Sequence, residues 1–599
     1  MRKPLVLAIA SLLTATVAQA QPASPKTSAA PAVPAWVTRS NADAKVMLDV
    51  VARFSPESAS ELGLPGYDDQ VTDLKPDVDA RSRQAMVEAK SKLQAMLATE
   101  KDDNVRQDLQ IMIKAADSEI EGDDLDRKYM LPFQDIGQLV FNGEFALLQD
   151  QVDTKRRPSA LKRLECYVGT APGCTPLTEL AKARTTERLT DTQLLGPYQG
   201  KVKRALDNTQ HYIDGIRQLF AKYKLDDAEG KAALDKLAAQ LKDYDGWLRS
   251  TVQPHARTDF KLPEPLYAYR LRKVGLDIPP QELIKQAELE FMETRAAMQQ
   301  LAPLVAKANG INATDYRDVL KGLKKQQLGK ADVVPWYHEV IGQIEKQIRD
   351  QQIVELPQRE MIMRLASDAE SAAEPAPHMD PPPLIGNTGE RGSFVLPMAN
   401  PSSAGDQPYD DFTFKAAAWT LTAHEGRPGH ELQFSAMIEH GVSLARTLFA
   451  ENSVNVEGWA LYAEAEMVPY EPLEGQFIAL QLRLLRAARA FLDPMLNLGL
   501  TDRARAHDIL VNDVGMSEPM TRQELDRYTF NSPGQATAYF YGYSRLLQLR
   551  MEAEIALGKK FDRKAFNDFV IGQGLLPPDQ LAEAVRTKFI APQRASSSK

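Results

Sequence analysis

His424 and Glu425 are adjacent, and His430 follows in the stretch Leu421-Thr422-Ala423-His424-Glu425-Gly426-Arg427-Pro428-Gly429-His430-Glu431-Leu432-Gln433. Imidazole nitrogens bind zinc, and a carboxylate beside them can take a proton from a water that the metal activates. A zinc-peptidase helix normally sets its two histidines four residues apart, on one face. Here they are six apart, which turns them about 120° away from each other on an unbroken helix. Pro428-Gly429 offers the remedy. Pro interrupts the helical hydrogen bonds and Gly accepts unusual dihedrals, so a bulge here is expected to return His430 to the metal side. A kinked helix with two surface histidines fits the same residues.

Three protein ligands leave zinc one open position, and the third is often a Glu from a following helix. Glu457-Gly458-Trp459-Ala460-Leu461-Tyr462-Ala463-Glu464 opens a strongly helical run after His430. Glu457 and Ala460 share a side, where a small residue favours close approach to the histidine helix. Glu464 reads as part of a solvated helix face, and Glu466 as nearer the surface. A tetrahedral oxyanion needs a further donor. Gln535, Tyr539 and Tyr543 recur every four residues, so Tyr539 and Tyr543 are candidates, with packed core aromatics as the plainer reading. Arg545 or Arg550 could meet a substrate carboxylate, although a solvated helix face suits both. The strand candidate Phe394-Val395-Leu396 could pair with an extended peptide.

The elements that must carry these residues are helical. Apolar residues recur at helical spacing from Ala42 to about Leu248, and again over 280–308, 336–368, 411–440, 453–467, 474–493, 533–557 and 579–588. Residues 371–383, rich in Pro and Ala, read as a loop, and the best strand candidate lies between Gly389 and Met398. The expected fold is mainly α, with a small β-sheet beside the active-site helix. Cys166 and Cys174 are the only cysteines. They bracket a turn rich in Gly and are expected to pair in an oxidising compartment, where closing so short a loop stabilises by about 2.5 kcal/mol.

Arg2-Lys3, the apolar Leu5–Val17 segment and Ala18-Gln19-Ala20 read as a signal peptide over residues 1–20, cleaved after Ala20. Its apolar stretch is shorter than the roughly 20 residues that span a bilayer, so no stable membrane anchor is expected. The mature chain is then periplasmic or secreted. Residues 21–37 read as a disordered linker, 38–260 as an N-terminal helical region and 261–599 as a C-terminal helical region, the two forming one unit around a cleft. A net charge of −9 argues against nucleic acid or anionic membrane as a partner. The oligomeric state is not legible.

His424-Glu425-x-x-Pro428-Gly429-His430, followed by Glu457-Gly458-Trp459-Ala460-x-Tyr462-Ala463-Glu464, resembles the bacterial family catalogued as domain of unknown function 885. Further matches are Arg486-Ala487-x-Arg489, Glu524-x-x-Arg527-Tyr528, Pro533-Gly534-Gln535-Ala536-x-x-Tyr539-x-x-Gly542 and Gly574-x-x-Pro577. The resemblance covers most of the mature chain. It implies a large helical, gluzincin-like zinc metallopeptidase fold. Three positions depart from the family pattern. Glu431 stands where a second His often follows His430, and Asn497 ends a segment that usually reads Asp-x-Gly-x-His. Asn567 replaces the His of Phe-His-Asp.

The expectation is therefore an exported peptidase that hydrolyses peptide substrates with one Zn²⁺ per chain. His424, His430 and Glu457 hold the metal, Glu425 acts as general base, and Tyr539 or Tyr543 stabilises the oxyanion. Two alternatives stay open: a catalytically inactive periplasmic peptide-binding or scaffolding homologue, and a metal-dependent hydrolase of non-peptide amides. The three departures favour the inactive homologue, whereas the intact His-Glu pair and Glu457 oppose it. No Gly-x-Ser-x-Gly elbow supports serine catalysis.

Overall fold

The computed structural model describes residues 33–398 and 410–595. The expected signal peptide and most of the expected linker lie outside the described residues. The linker ends earlier than expected, because α1 (Ala35–Phe54) starts directly after Pro34. Pro34 has no N–H to satisfy, and its carbonyl accepts the Val37 N–H at 2.9 Å. α1 packs against α2 (Val78–Thr99) and α3 (Asp103–Tyr129) through Met47, Met86, Leu93, Leu109 and Met112, a cluster that also takes in Ala445. A second apolar cluster is built around α4 (Ile136–Phe145) and α5 (Gln199–Lys222). The largest draws on Ile111 and on residues from Tyr267 to Ile590.

The C-terminal half supplies α6 (Pro280–Ala308), the short α7 (Ala417–Glu425) and α8 (His430–Glu439), then α9 (Ser453–Met467), α10 (Leu473–Asn497) and α11 (Ala538–Leu557). α6 lies along α10, where Phe291 meets Phe491 edge-on with centroids 5.5 Å apart. α9 and α11 come together through two glycines. A Cβ on Gly458 would stand 2.6 Å from the Cα of Gly542, and one on Gly542 would stand 2.0 Å from the Val454 carbonyl oxygen. Glycine is required there because the backbones themselves touch.

The fold is mainly α, with one small sheet of β1 (Ile362–Leu365), β2 (His378–Asp380) and β3 (Ser393–Leu396). β3 is central, parallel to β1 and antiparallel to β2, with Ser393 opposite both Ile362 and Asp380. β2 touches α8, which sets the sheet beside the histidines. Three expectations need correction. Residues 336–368 are not one helix: the helix Lys330–Asp350 ends, and residues 362–365 are extended by their ladder with β3. The loop expected over 371–383 contains β2. Phe394-Val395-Leu396 cannot take up an extended peptide, because both edges of β3 are already paired. Among the described residues, no helix is long and apolar enough to cross a membrane.

Cys166 and Cys174 form the expected disulfide, across a turn in which Gly169 and Gly173 adopt φ of 70° and 79°. Replacing both cysteines by Ser should lower unfolding stability by about 2.5 kcal/mol on the chain-entropy model. Denaturant unfolding of the variant beside the oxidised parent checks this, and equal midpoints and slopes would refute it.

Candidate metal centre

α7 is buried on every side, with Ala417, Ala418, Leu421 and Ala423 among its core residues. It stops at Glu425, and α8 begins at His430 after a sharp break rather than the small bulge expected. The Arg427–Pro428 peptide is cis. A Cβ on Gly429 would stand 1.9 Å from the His424 carbonyl oxygen and 2.4 Å from that of Ala423, so only glycine lets the chain fold back over the end of α7. Trp459 Nε1 donates to the Pro428 carbonyl at 3.0 Å, and Arg427 donates to Glu431 (2.7 Å) and Glu345 (2.8 Å). These contacts hold the break in place.

The break brings the His424 and His430 rings to 4.8 Å between centroids. Glu457 comes from α9, whose first turn is capped by the Asn452 side chain accepting the Asn455 N–H at 2.9 Å. Glu457 Oε2 lies 3.4 Å from His430 Nε2 and 3.6 Å from His424 Nε2. It is buried and has no hydrogen-bond partner. Ligand atoms bonded at about 2.1 Å in a tetrahedron stand about 3.4 Å apart, so the spacing suits a shared zinc ion better than direct hydrogen bonds. Two imidazole nitrogens and one carboxylate oxygen are also a donor set that zinc accepts.

Glu464 corrects the sequence reading. It is buried rather than solvated, and its Oε1 meets His424 Nδ1 at 2.6 Å. Thr420 Oγ1 donates to its other oxygen at 2.8 Å, and Arg486 donates to Oε1 at 3.2 Å. With Nδ1–H given to Glu464, the His424 Nε2 lone pair faces Glu457 and is available to a metal. Burial alone would lower the His424 pKa. The nearby carboxylates of Glu457, Glu464 and Glu425 instead push it up to about 9. The two imidazoles hold Glu457 well below the carboxylate range in spite of its own burial.

Glu425 follows His424, with its Oε1 3.9 Å from His424 Nε2. Tyr539 stacks on His424 with centroids 6.2 Å apart, and its hydroxyl accepts from Arg527 Nη2 at 2.6 Å. Burial, with the charge of Glu457, holds Tyr539 above the usual phenol range against the pull of Arg527 and Arg489. It is therefore a neutral donor whose own proton can point away from Arg527. Tyr543 sits a turn further on, with Arg483 5.0 Å from its ring centroid. Arg550 is taken up by Glu466, Glu554 and Tyr462, and Arg545 by Asp579. Neither arginine is a simple solvated residue, and neither reaches the cluster.

The three departures from the family pattern fall in structural networks. Glu431, fully buried, accepts from Arg427 and from Ser435 (2.7 Å). Asn497 donates to the Asp493 and Tyr528 carbonyls, both at 2.9 Å. Asn567 accepts from Tyr462 (2.9 Å) and donates to the Ile353 carbonyl (2.9 Å).

Sequence reasoning missed the polar wall behind the cluster. Gln535 Nε2 reaches Glu457 Oε1 at 3.4 Å, and its own oxygen accepts from Arg527 Nε at 2.9 Å. Arg489 grips Glu524 with two hydrogen bonds of 2.8 and 2.6 Å. A signal was present. Arg486 and Arg489 interrupt the apolar run Leu484-Leu485-x-Ala487-Ala488-x-Ala490-Phe491, and a charge on a buried helix face must have a partner.

Fold and site together define a mainly α protein with a buried two-histidine, one-glutamate cluster at a helix break. The chain belongs to the family described as "Bacterial protein of unknown function (DUF885)", whose model matches residues 56–585. Its fold is similar to a solved "putative lipoprotein" from Colwellia psychrerythraea, at 17% identity and a TM-score of 0.74, covering 91% of this chain and 98% of that one. It is also similar to a solved "putative lipoprotein of unknown function" from Shewanella oneidensis, at 18% identity and a TM-score of 0.67, covering 92% of this chain and 100% of that one. No curated protein matches the sequence.

Glu464→Gln should weaken zinc affinity about 10- to 100-fold, the usual effect of removing a carboxylate that orients a ligating His. Competition with a fluorescent chelator measures this, and unchanged affinity would mean Glu464 does not orient His424. Gly429→Ala should lose zinc and lower the melting temperature together, because the added methyl collides with the end of α7. Stoichiometric zinc in a well-folded Gly429→Ala protein would show that the break is not required.

Proposed function

We propose that this protein is an exported zinc-dependent peptidase. The observation that carries the reading is the position of Glu457 Oε2, 3.4 and 3.6 Å from the two histidine Nε2 atoms, with the Glu425 carboxylate beside them. His424, His430 and Glu457 would hold the ion. Zinc bound there supplies a Lewis acid that polarises the scissile carbonyl and acidifies a water molecule. Glu425 takes the proton from the attacking water and returns it to the leaving amine nitrogen. Tyr539 donates its hydroxyl hydrogen to the carbonyl oxygen as negative charge develops, while Arg527 keeps the Tyr539 oxygen in place. Glu464 holds the His424 ring throughout. Export is supported by the signal-peptide pattern of residues 1–20 and by the description of both fold neighbours as "putative lipoprotein". The structural roles of Glu431, Asn497 and Asn567 favour this reading over an inactive homologue, since none of the three belongs to the cluster.

Glu425→Gln should keep its zinc and its fold yet lose peptide hydrolysis by a factor of about 10² or more. Mature wild-type and variant proteins, zinc-loaded and chelated, would be incubated with a mixed peptide library and read by mass spectrometry. Equal cleavage by both proteins removes Glu425 from the mechanism. A wild-type protein that retains peptides without cutting any is a binding protein.

A further inference from the structure

The wall beside Tyr539 holds three arginines, and they are not equally occupied. Arg489 spends its guanidinium on Glu524, which also accepts from the Tyr528 hydroxyl at 2.7 Å. Arg486 is tied to Glu464, and its side chain is only 7% exposed. Arg527 differs. Its Nε donates to Gln535, and its Nη2 donates to Gln535 and to Tyr539. Its Nη1 stands 3.6 Å from Glu524 Oε1, outside hydrogen-bond range, and forms no hydrogen bond among the described residues. The Arg527 side chain keeps 23% of its surface exposed. The acid it approaches through Gln535 is Glu457, whose charge belongs to the metal cluster.

We propose that Arg527 binds a carboxylate of the substrate within a residue or two of the scissile bond. This inference rests on the peptidase reading above. Nη1 carries two N–H donors that no hydrogen bond uses among the described residues, and one of them can give a carboxylate oxygen a single charge-assisted hydrogen bond while Nε and Nη2 stay with Gln535 and Tyr539. The distance from the chemistry is set by Tyr539: the same guanidinium that presents Nη1 also holds the hydroxyl aimed at the scissile carbonyl. A group on Nη1 is therefore a near neighbour of the bond that breaks. The chemistry recognised is a carboxylate, supplied either by the C-terminus of the peptide or by an Asp or Glu side chain. Terminal recognition makes the protein a carboxypeptidase-type exopeptidase, and side-chain recognition makes it selective for acidic residues.

Zinc-loaded Glu425→Gln protein provides the test, because binding can be read without turnover. Three pools of N-acetylated tripeptides with randomised uncharged residues serve as probes: free acids, C-terminal amides, and amides with Asp in the last position. Retention on ultrafiltration, quantified by mass spectrometry, should be about 10- to 100-fold stronger for at least one carboxylate-bearing pool than for the plain amides, the scale of a charge-assisted pair. Strong retention of the free acids alone assigns the carboxylate to the terminus, of the Asp amides alone to a side chain, and of both pools to either source. Adding Arg527→Met should bring each favoured pool down to the level of the plain amides, while Arg527→Lys restores part of the preference; zinc content and circular dichroism verify each fold. Equal retention of all three pools overturns the proposal. So does a preference that survives Arg527→Met, or retention of no pool at all. A wild-type protein that cleaves none of the pools refutes the peptidase reading separately, because the binding arms still decide whether Arg527 recognises carboxylates.

Discussion

The hydrogen bond between Glu464 and His424 Nδ1 is the contact on which the rest of the site depends. An imidazole can offer a metal only the nitrogen that carries no proton, so a partner on Nδ1 decides that Nε2 faces the cluster. The bond also joins α7 to α9, the helix that brings Glu457. A buried carboxylate is costly to desolvate unless its oxygens are satisfied, and Thr420 and Arg486 meet that need from α7 and α10. Three helices are thus held together by one buried acid. Glu457, two turns before Glu464 on the same helix, takes its place from that arrangement.

The second constraint is the abrupt end of α7. Two histidines six residues apart reach one point only if the chain stops being helical between them. Gly429 permits the close return, Trp459 anchors the Pro428 carbonyl, and the Arg427–Glu431 pair secures the far side. Trp459 is two residues from Glu457, so the element that supplies the third candidate ligand also fixes the turn that aligns the other two. The buried acid next to His430 belongs to this scaffold. Its charge is balanced by Arg427, 2.7 Å away, and is not directed at the cluster.

Across the site the polarity changes sign. Glu425, Glu457 and Glu464 surround the imidazoles, whereas Arg486, Arg489 and Arg527 surround the Tyr539 ring at 5.8, 4.5 and 5.1 Å from its centroid. Asp493 anchors the arginine side by accepting the Gly534 N–H at 2.9 Å, which sets the turn leading to Gln535 and Tyr539. A substrate bound between these walls would meet a field that orients it, in a pocket where low dielectric strengthens each interaction.

The helical class, the disulfide and the gathering of His424, His430 and Glu457 at one place were legible in the sequence, because each leaves a local trace. Helices show their period, a short loop between two cysteines in a chain that opens on a signal-peptide pattern invites pairing, and Pro-Gly between two histidines marks a break. Tyr539 was legible only as one of two equivalent aromatics, since a four-residue repeat cannot say which member meets His424. The sheet was half legible: β3 has its own pattern, but β1 and β2 are so short that the ladder, not local propensity, makes them strands. Glu464 was misread because an acid on a helix is usually solvated, and only packing against α7 and α10 shows that this one is buried. The duties of Arg527 and Gln535 were likewise hidden. Their partners lie on other segments, and a hydrogen bond between distant residues leaves no periodic mark in the chain; the tertiary structure alone decided which charges face the cluster and which pair with one another.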